Sequence, residues 1–177
     1  TERELDLPAG KIDLVPLVET PRGVTRVEEI AQASSRVKRL AFGAGDYTVD
    51  LDIDLTSDGV EILYARSRIV AASRAAGIEG PIDTVFMNVT DLEGLEADTR
   101  RAKQIGFGGK LIIHPDQIAP VHRVFSPTPD QVEEAREVIQ AYEEAVAKGV
   151  GAIKVRGKLV DFPIVRRARK VLELSEL

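Results

Sequence analysis

Apolar residues fall in short crowded runs, separated by stretches with helical spacing. Lys11–Val18 (KIDLVPLV) reads as a strand that ends at Glu19. In Arg22–Ser35, Val24, Val27, Ile30 and Ala31 share one helical stripe. Val37–Phe42 (VKRLAF) reads as a second strand, closed by Gly43-Ala44-Gly45-Asp46 and a polar, Asp-rich loop. A helix is predicted over Val60–Ala76, stopped by Gly77 and Gly80-Pro81. Ile82–Met87 (IDTVFM) is the third strand and Leu92–Ile105 a charged helix ending at Gly106. Lys110–Ile113 (KLII) is the fourth strand, broken by His114-Pro115. Strands alternating with helices imply parallel βαβ units, either an open α/β sheet or part of a (β/α)8 barrel. Runs as apolar as Leu14, Val15, Leu17 and Val18 suit strands covered on both faces. Four units are about half of the roughly 250 residues a complete barrel uses.

The remainder is organised differently. Ser126-Pro127-Thr128-Pro129 punctuates the chain, with Thr128 placed to cap a long helix over Asp130–Lys148. Ala152–Val155 and Lys158–Val160 flank Arg156-Gly157, a turn that suits a hairpin. A last helix is predicted over Pro163–Leu174. The tail therefore reads as a helix–hairpin–helix arm.

Composition narrows the chemistry. Of 177 residues, 24 are Lys or Arg and 29 Asp or Glu, giving a net charge of −5 that argues against a general nucleic-acid binder. With no cysteine, a disulfide scaffold, a thiolate zinc site and a thiol nucleophile are excluded; two histidines make a multi-His centre a poor fit. No apolar run approaches the roughly 20 residues of a membrane span. The polar, charged start argues against a signal peptide, so a cytoplasmic location is expected. Residue 1 is Thr and the sole Met is Met87, so the chain is expected to be processed, fused or a fragment.

Parallel α/β sheets bind ligands at the carboxyl ends of their strands. Those ends carry Glu19 with Thr20, Pro21, Arg22 and Gly23; Gly43, Ala44, Gly45 and Asp46; Asn88 and Asp91; and His114, Pro115 and Gln117. Glu19 and Asp46 end neighbouring strands. Two hard oxygen ligands with room for water suit Mg²⁺, which could chelate a 2-oxo acid. Small residues at Gly43-Ala44-Gly45 allow backbone N–H groups to face a substrate carboxylate. Two acids after two strands are equally compatible with loop or cap roles. Other motifs fail on spacing. Asp50-x-Asp52-x-Asp54 has Leu55 where a calcium loop needs Gly, position 48 is Thr where a dinucleotide fingerprint needs its third Gly, and Gln104 occupies the first Gly of a P-loop. His114 reads as a structural anchor and His122 as a surface residue. The acidic helix reads as a solvated face. The basic run Arg166-Arg167-x-Arg169-Lys170 either meets a phosphate or complements its own helix end and the acidic helix before it.

Three stretches together resemble a known family. Pro16–Gly23 (PLVETPRG) resembles the strand-five signature of the citrate lyase β-subunit/malyl-CoA lyase family, within the HpcH/HpaI aldolase superfamily. Phe42–Tyr47 (FGAGDY) resembles its strand-six motif, and Gly106–Ile118 (GFGGKLIIHPDQI) its strand-eight motif, the most specific of the three. Phe125-Ser126-Pro127-Thr128 and Gly157–Pro163 (GKLVDFP) resemble its C-terminal arm.

The resemblance implies the C-terminal half of a (β/α)8 TIM barrel, strands five to eight, over residues 1–125. Residues 126–177 would then be an arm packing on a neighbouring subunit of a homo-oligomer. It implies a Mg²⁺-dependent carbon–carbon lyase, with Mn²⁺ as a substitute. The substrate would be a 3-hydroxyacyl-CoA thioester such as malyl-, citramalyl- or citryl-CoA, or an acyl-carrier thioester, yielding an acyl thioester and a 2-oxo acid; some members hydrolyse the thioester instead. Glu19 and Asp46 correspond to the metal ligands, Gly43, Ala44 and Gly45 to the oxo-acid cradle, and Asp161 to the acid/base residue that the arm presents in trans. Two departures stand out. The family's four preceding strands, with an Arg that clamps the substrate carboxylate, are not in this sequence, and Gly45 stands where the family commonly has an acid. The alternatives are a metal-dependent 4-hydroxy-2-oxo acid aldolase without CoA, and a non-catalytic assembly subunit or remnant.

Overall fold

The computed structural model describes residues 2–176. The chain divides after Phe125 into two compact units.

In the first unit, β1 (Leu17–Val18), β2 (Ala41–Phe42), β3 (Ile82–Asp83) and β4 (Gly109–Lys110) form a parallel sheet in the order β1-β2-β3-β4. Val18 lies opposite Phe42, Ala41 opposite Ile82, and Asp83 opposite Lys110. The paired strands are shorter than the apolar runs that announce them. Pro16 has no N–H to donate, so between the bridge at Leu14–Val37 and the pairing that begins at Leu17 the first run offers the second only the Pro16 carbonyl, which accepts the Ala41 N–H (2.9 Å). At the other edge, Leu111 still donates to the Asp83 carbonyl (2.9 Å), but the Ile113 N–H is taken by the Gln117 side chain (3.0 Å).

Helices follow each strand. The single helix expected over Arg22–Ser35 is two short ones, α1 (Pro21–Thr25) and α2 (Val27–Ala31), broken at Arg26. The Thr25 hydroxyl donates back to the Arg22 carbonyl, a local bond that competes with helix propagation. The stripe survives the break, with Val24, Val27 and Ala31 all buried. A helix absent from the sequence reading, α3 (Ala44–Asp50), occupies the Gly-rich turn after β2. A 3₁₀ turn (Val60–Ile62) leads into α4 (Leu63–Ala75), and α5 (Leu92–Ile105) starts under an Asp91 cap. A second 3₁₀ turn (Pro115–Gln117) leads into α6 (Ile118–Phe125). Val18, Leu40, Phe42, Ile62, Ile69 and Phe107 anchor the core between sheet and helices.

The second unit contains α7 (Pro129–Val146), a hairpin of β5 (Ile153–Val155) and β6 (Lys158–Val160), and α8 (Phe162–Ser175). A capping box between Thr128 and Gln131 starts α7. Arg156 and Gly157 both take positive φ (48° and 82°), the backbone a two-residue hairpin turn demands. Ala135, Val138, Val155, Val160, Val165 and Ala168 form a separate core. Part of the acidic face of α7 is engaged, since Glu137 pairs with Arg156 (2.6 Å), Glu134 with Lys158 (3.0 Å) and Glu143 with Arg169 (3.3 Å). Among the described residues no helix is long and apolar enough to cross a membrane.

Candidate metal and substrate site

The register of β1 on β2 sets Glu19 beside Gly43, each the first residue beyond its strand. The Gly43 N–H donates to the Val18 carbonyl (3.0 Å), which holds the two strand ends together. A Cβ built on Gly43 would lie 2.7 Å from Glu19 Cβ and 2.8 Å from Glu19 Oε2. The Glu19 side chain therefore lies over Gly43 in space that any other residue would fill. Asp46 is the third residue of α3, so its carboxylate springs from the first turn of the helix that Gly43 caps.

This first turn is tightly held. The Tyr47 ring packs edge-on against Phe42, with centroids 5.7 Å apart. The buried Thr48 hydroxyl donates to the Ala44 and Gly45 carbonyls, both at 2.9 Å. The Ala44 N–H donates to Thr84 Oγ1 at 2.9 Å, in a buried bond. Gly43 and Ala44 thus spend their N–H groups inside the protein, whereas the Gly45 and Asp46 N–H groups meet no acceptor among the described residues.

Glu19 is half-buried and Asp46 exposed. Neither carboxylate has a hydrogen-bond or ion-pair partner among the described residues. One unpartnered carboxylate directly beyond β1 and another in the helix turn that follows β2 are a donor set of the kind Mg²⁺ takes, because this ion keeps several waters and needs few protein ligands. No group of three or more His, Cys, Asp or Glu able to hold a metal occurs among the described residues. The residues fit a two-carboxylate Mg²⁺ site open to substrate oxygens, not an all-protein cage.

The other strand-end polar groups serve the scaffold. His114 Nδ1 accepts the Asp116 N–H (3.2 Å) and caps the second 3₁₀ turn, in keeping with a structural role. Asp91 caps α5 by accepting the Gly94 N–H (2.9 Å), and Asn88 Oδ1 accepts the Thr90 N–H and hydroxyl. Gln117 is fully buried and donates to the Phe86 carbonyl (2.9 Å), which ties the ends of β3 and β4 together. Asp161 lies in the second unit, where its Oδ1 accepts the Ile164 N–H (3.3 Å) and caps α8. Its neighbours Leu159 and Phe162 are 70% and 60% exposed.

Sequence reading misses one group altogether. Arg66 on α4, Asp83 on β3, Asp98 on α5 and Lys110 on β4 form a buried, charge-neutral quartet. Arg66 meets Asp83 through two nitrogens (2.9 and 2.8 Å) and reaches Asp98 at 2.9 Å. Lys110 Nζ donates to Asp83 (2.8 Å) and Asp98 (2.6 Å). Burial works to raise the Asp98 pKa, but Lys110 and Arg66 outweigh it and hold the carboxyl below its ordinary value. Burial works to lower Arg66, yet Asp83 and Asp98 raise it on balance. The available signal was a single charge inside each of two strand-like apolar runs, Asp83 in IDTVFM and Lys110 in KLII.

Residues 1–115 match the HpcH/HpaI aldolase/citrate lyase family. The citrate lyase subunit beta of Leuconostoc mesenteroides subsp. cremoris is 43% identical over 174 residues, 98% of this chain and 57% of that protein. The mitochondrial citramalyl-CoA lyase of Mus musculus is 32% identical over 181 residues, 98% of this chain and 52% of that protein. The chain thus spans little more than half the length of these relatives. Among solved structures, CitE of Mycobacterium tuberculosis in complex with magnesium, acetoacetate and coenzyme A superposes with a TM-score of 0.81 at 30% identity, covering 94% of this chain and 62% of that one.

Proposed function

Because the chain belongs to the HpcH/HpaI aldolase/citrate lyase family, we propose that it is the metal-binding part of a carbon–carbon lyase acting on a 3-hydroxyacyl-CoA thioester of the malyl, citramalyl or citryl type. The products are an acyl-CoA and a 2-oxo acid. The four parallel strands are read as the second half of a (β/α)8 barrel, the unit from Ser126 onward as an arm that works on a neighbouring subunit of a homo-oligomer, and the compartment as the cytoplasm. The observation that carries the reading is the Glu19 carboxylate lying over Gly43, beside the helix turn that bears Asp46, with no cation on either acid among the described residues. Relatives named as citrate lyase subunit beta and citramalyl-CoA lyase support the reaction class, and the magnesium and coenzyme A of the M. tuberculosis protein support the cofactor and substrate.

Glu19 and Asp46 would hold Mg²⁺, or Mn²⁺ in its place. When bound, the ion supplies positive charge opposite the oxygen on which negative charge builds as the C–C bond is made or broken. The turn Gly43-Ala44-Gly45 orients the oxo-acid carboxylate, with the free N–H groups of Gly45 and Asp46 as the donors that remain for it. In cleavage, the carboxylate of Asp161 of a neighbouring copy takes the hydroxyl proton, the C2–C3 bond breaks, and its electron pair passes to the thioester α-carbon. Asp161 of a neighbouring copy returns a proton to that carbon, a step worth on the order of 10²–10⁴-fold when well placed. Its helix-capping role uses one carboxyl oxygen and leaves the other for this work.

The test is turnover of the complete protein on a panel of 3-hydroxyacyl-CoA thioesters and 4-hydroxy-2-oxo acids, with and without Mg²⁺. Metal-dependent release of acyl-CoA and a 2-oxo acid from a thioester is the expected result. Turnover confined to the CoA-free substrates, or none on the whole panel, would overturn the proposal.

A further inference from the structure

We infer that Thr84 is a positioning residue for the metal site: its hydroxyl, by accepting the Ala44 N–H, sets the first turn of α3 and with it the carboxylate of Asp46. The inference rests on the reading of Glu19 and Asp46 as metal ligands.

The argument starts from an orphan. The first N–H groups of any helix lack intrahelical acceptors, and Ala44 is the first residue of α3. Ala44 is 0% exposed, so water cannot satisfy it. Gly43 caps the helix without a side chain to help. The acceptor comes instead from 40 residues away, as Thr84 Oγ1 at 2.9 Å, itself 3% exposed. Among the described residues this is the hydrogen bond that joins the first turn of α3 to the end of β3. Asp46 lies two residues beyond Ala44, so any rotation of this turn swings its carboxylate relative to Glu19.

Thr84 is suited to the task because its own position is fixed. It follows Asp83, whose carboxylate is gripped by Arg66 and Lys110 at 2.8–2.9 Å. Thr84 is the first residue beyond β3, so holding Asp83 in place restricts where the adjacent hydroxyl can lie. The branched side chain adds stiffness at χ1. Side chains hydrogen-bonded to a metal ligand commonly matter about 10–100-fold to metal affinity, and Thr84 acts on the ligand's own helix turn through its backbone.

The experiment measures Mn²⁺ affinity of the complete protein from the electron paramagnetic resonance signal of the free ion. Melting temperature and circular dichroism serve as checks on folding. The variants are Thr84→Val, Thr84→Ala, Thr84→Ser and Glu19→Gln. Val keeps the shape and removes the acceptor; Ala and Ser both lose the methyl and differ only in the hydroxyl, so this pair decides the matter should Val not fold. Loss of about 10–100-fold in affinity for Val and Ala, with Ser within about two-fold of the parent, is expected. Folded Val or Ala variants that bind Mn²⁺ like the parent while Glu19→Gln does not would overturn the inference and leave the metal reading standing. A Ser variant as weak as Ala would overturn it too. Parental affinity in Glu19→Gln would bring down the metal reading itself, and the inference with it.

Discussion

Gly43 is the residue on which the geometry of Glu19 turns. Its φ of −113° is open to any amino acid, so the demand for glycine is one of space alone. A methyl at 2.8 Å from Glu19 Oε2 would push the carboxylate away from the strand end. Gly43→Ala should therefore fold and yet bind Mn²⁺ at least about 10-fold more weakly, as read by a metal titration; parental affinity would show that Glu19 has freedom to retreat. Both proposed ligands and the small residues between them stand out in the sequence because they follow strand-like runs directly. The hydroxyl that braces them does not, since Thr84 is one more residue of the run IDTVFM until its partner 40 positions earlier is known. Asp161 shows the same limit from the other side. Its place before Phe162-Pro163 marks a helix cap, and nothing local to that segment marks an acid for chemistry.

At the scale of elements, the quartet joins two helices to two strands. Removing one partner of a buried ion pair leaves an uncompensated charge and costs about 3–5 kcal/mol. Lys110→Met should show a loss of that order in denaturant unfolding. The quartet also predicts an acid limb. The carboxyl of Asp98 is held below its ordinary value of 3.8 in the folded protein, so the folded state binds fewer protons there than the unfolded one. Its contribution to stability is complete above the ordinary carboxylate range and is lost as pH falls through the lowered folded value. An Asp98→Asn variant should be less stable at neutral pH and lose less stability on acidification than the parent; equal acid slopes for the two would remove Asp98 from that limb. Elements were legible where local chemistry alone builds them. The caps and periodicity of α5 place it over Leu92–Ile105 without help from the rest of the fold. The helix α3 was hidden because Gly43 and Gly45 look like a loop, and what makes it helical is the packing of Tyr47 on Phe42 and the bonds of Thr48. The break at Arg26 was equally hidden, because the apolar stripe continues across it.

For the molecule as a whole, the two units carry the proposed chemistry separately, metal ligands in the first and the acid in the second. On the proposal that the arm serves a neighbouring copy, an Asp161→Asn protein and an Asp46→Asn protein should each be nearly inactive, and their mixture should regain activity after subunit exchange. Asn still caps a helix, so Asp161→Asn should keep its melting temperature. No recovery in a mixture shown by mass to contain hybrid oligomers would put both residues in one chain's own site. The parallel sheet bears on the same question. Leu14, Leu17 and Ile113 are 41%, 49% and 51% exposed on the outer strands, the kind of apolar edge that complete barrels cover.

The quartet has a consequence for how this sequence can drift. Each of Arg66, Asp83, Asp98 and Lys110 answers to at least two of the others, so no member can be exchanged alone without stranding a charge. An entirely apolar substitute of the same volume can be as stable or more so. That destination is reached only through intermediates that are worse than either end. The four positions are therefore expected to change together or not at all, because the barrier to replacement lies in the intermediates.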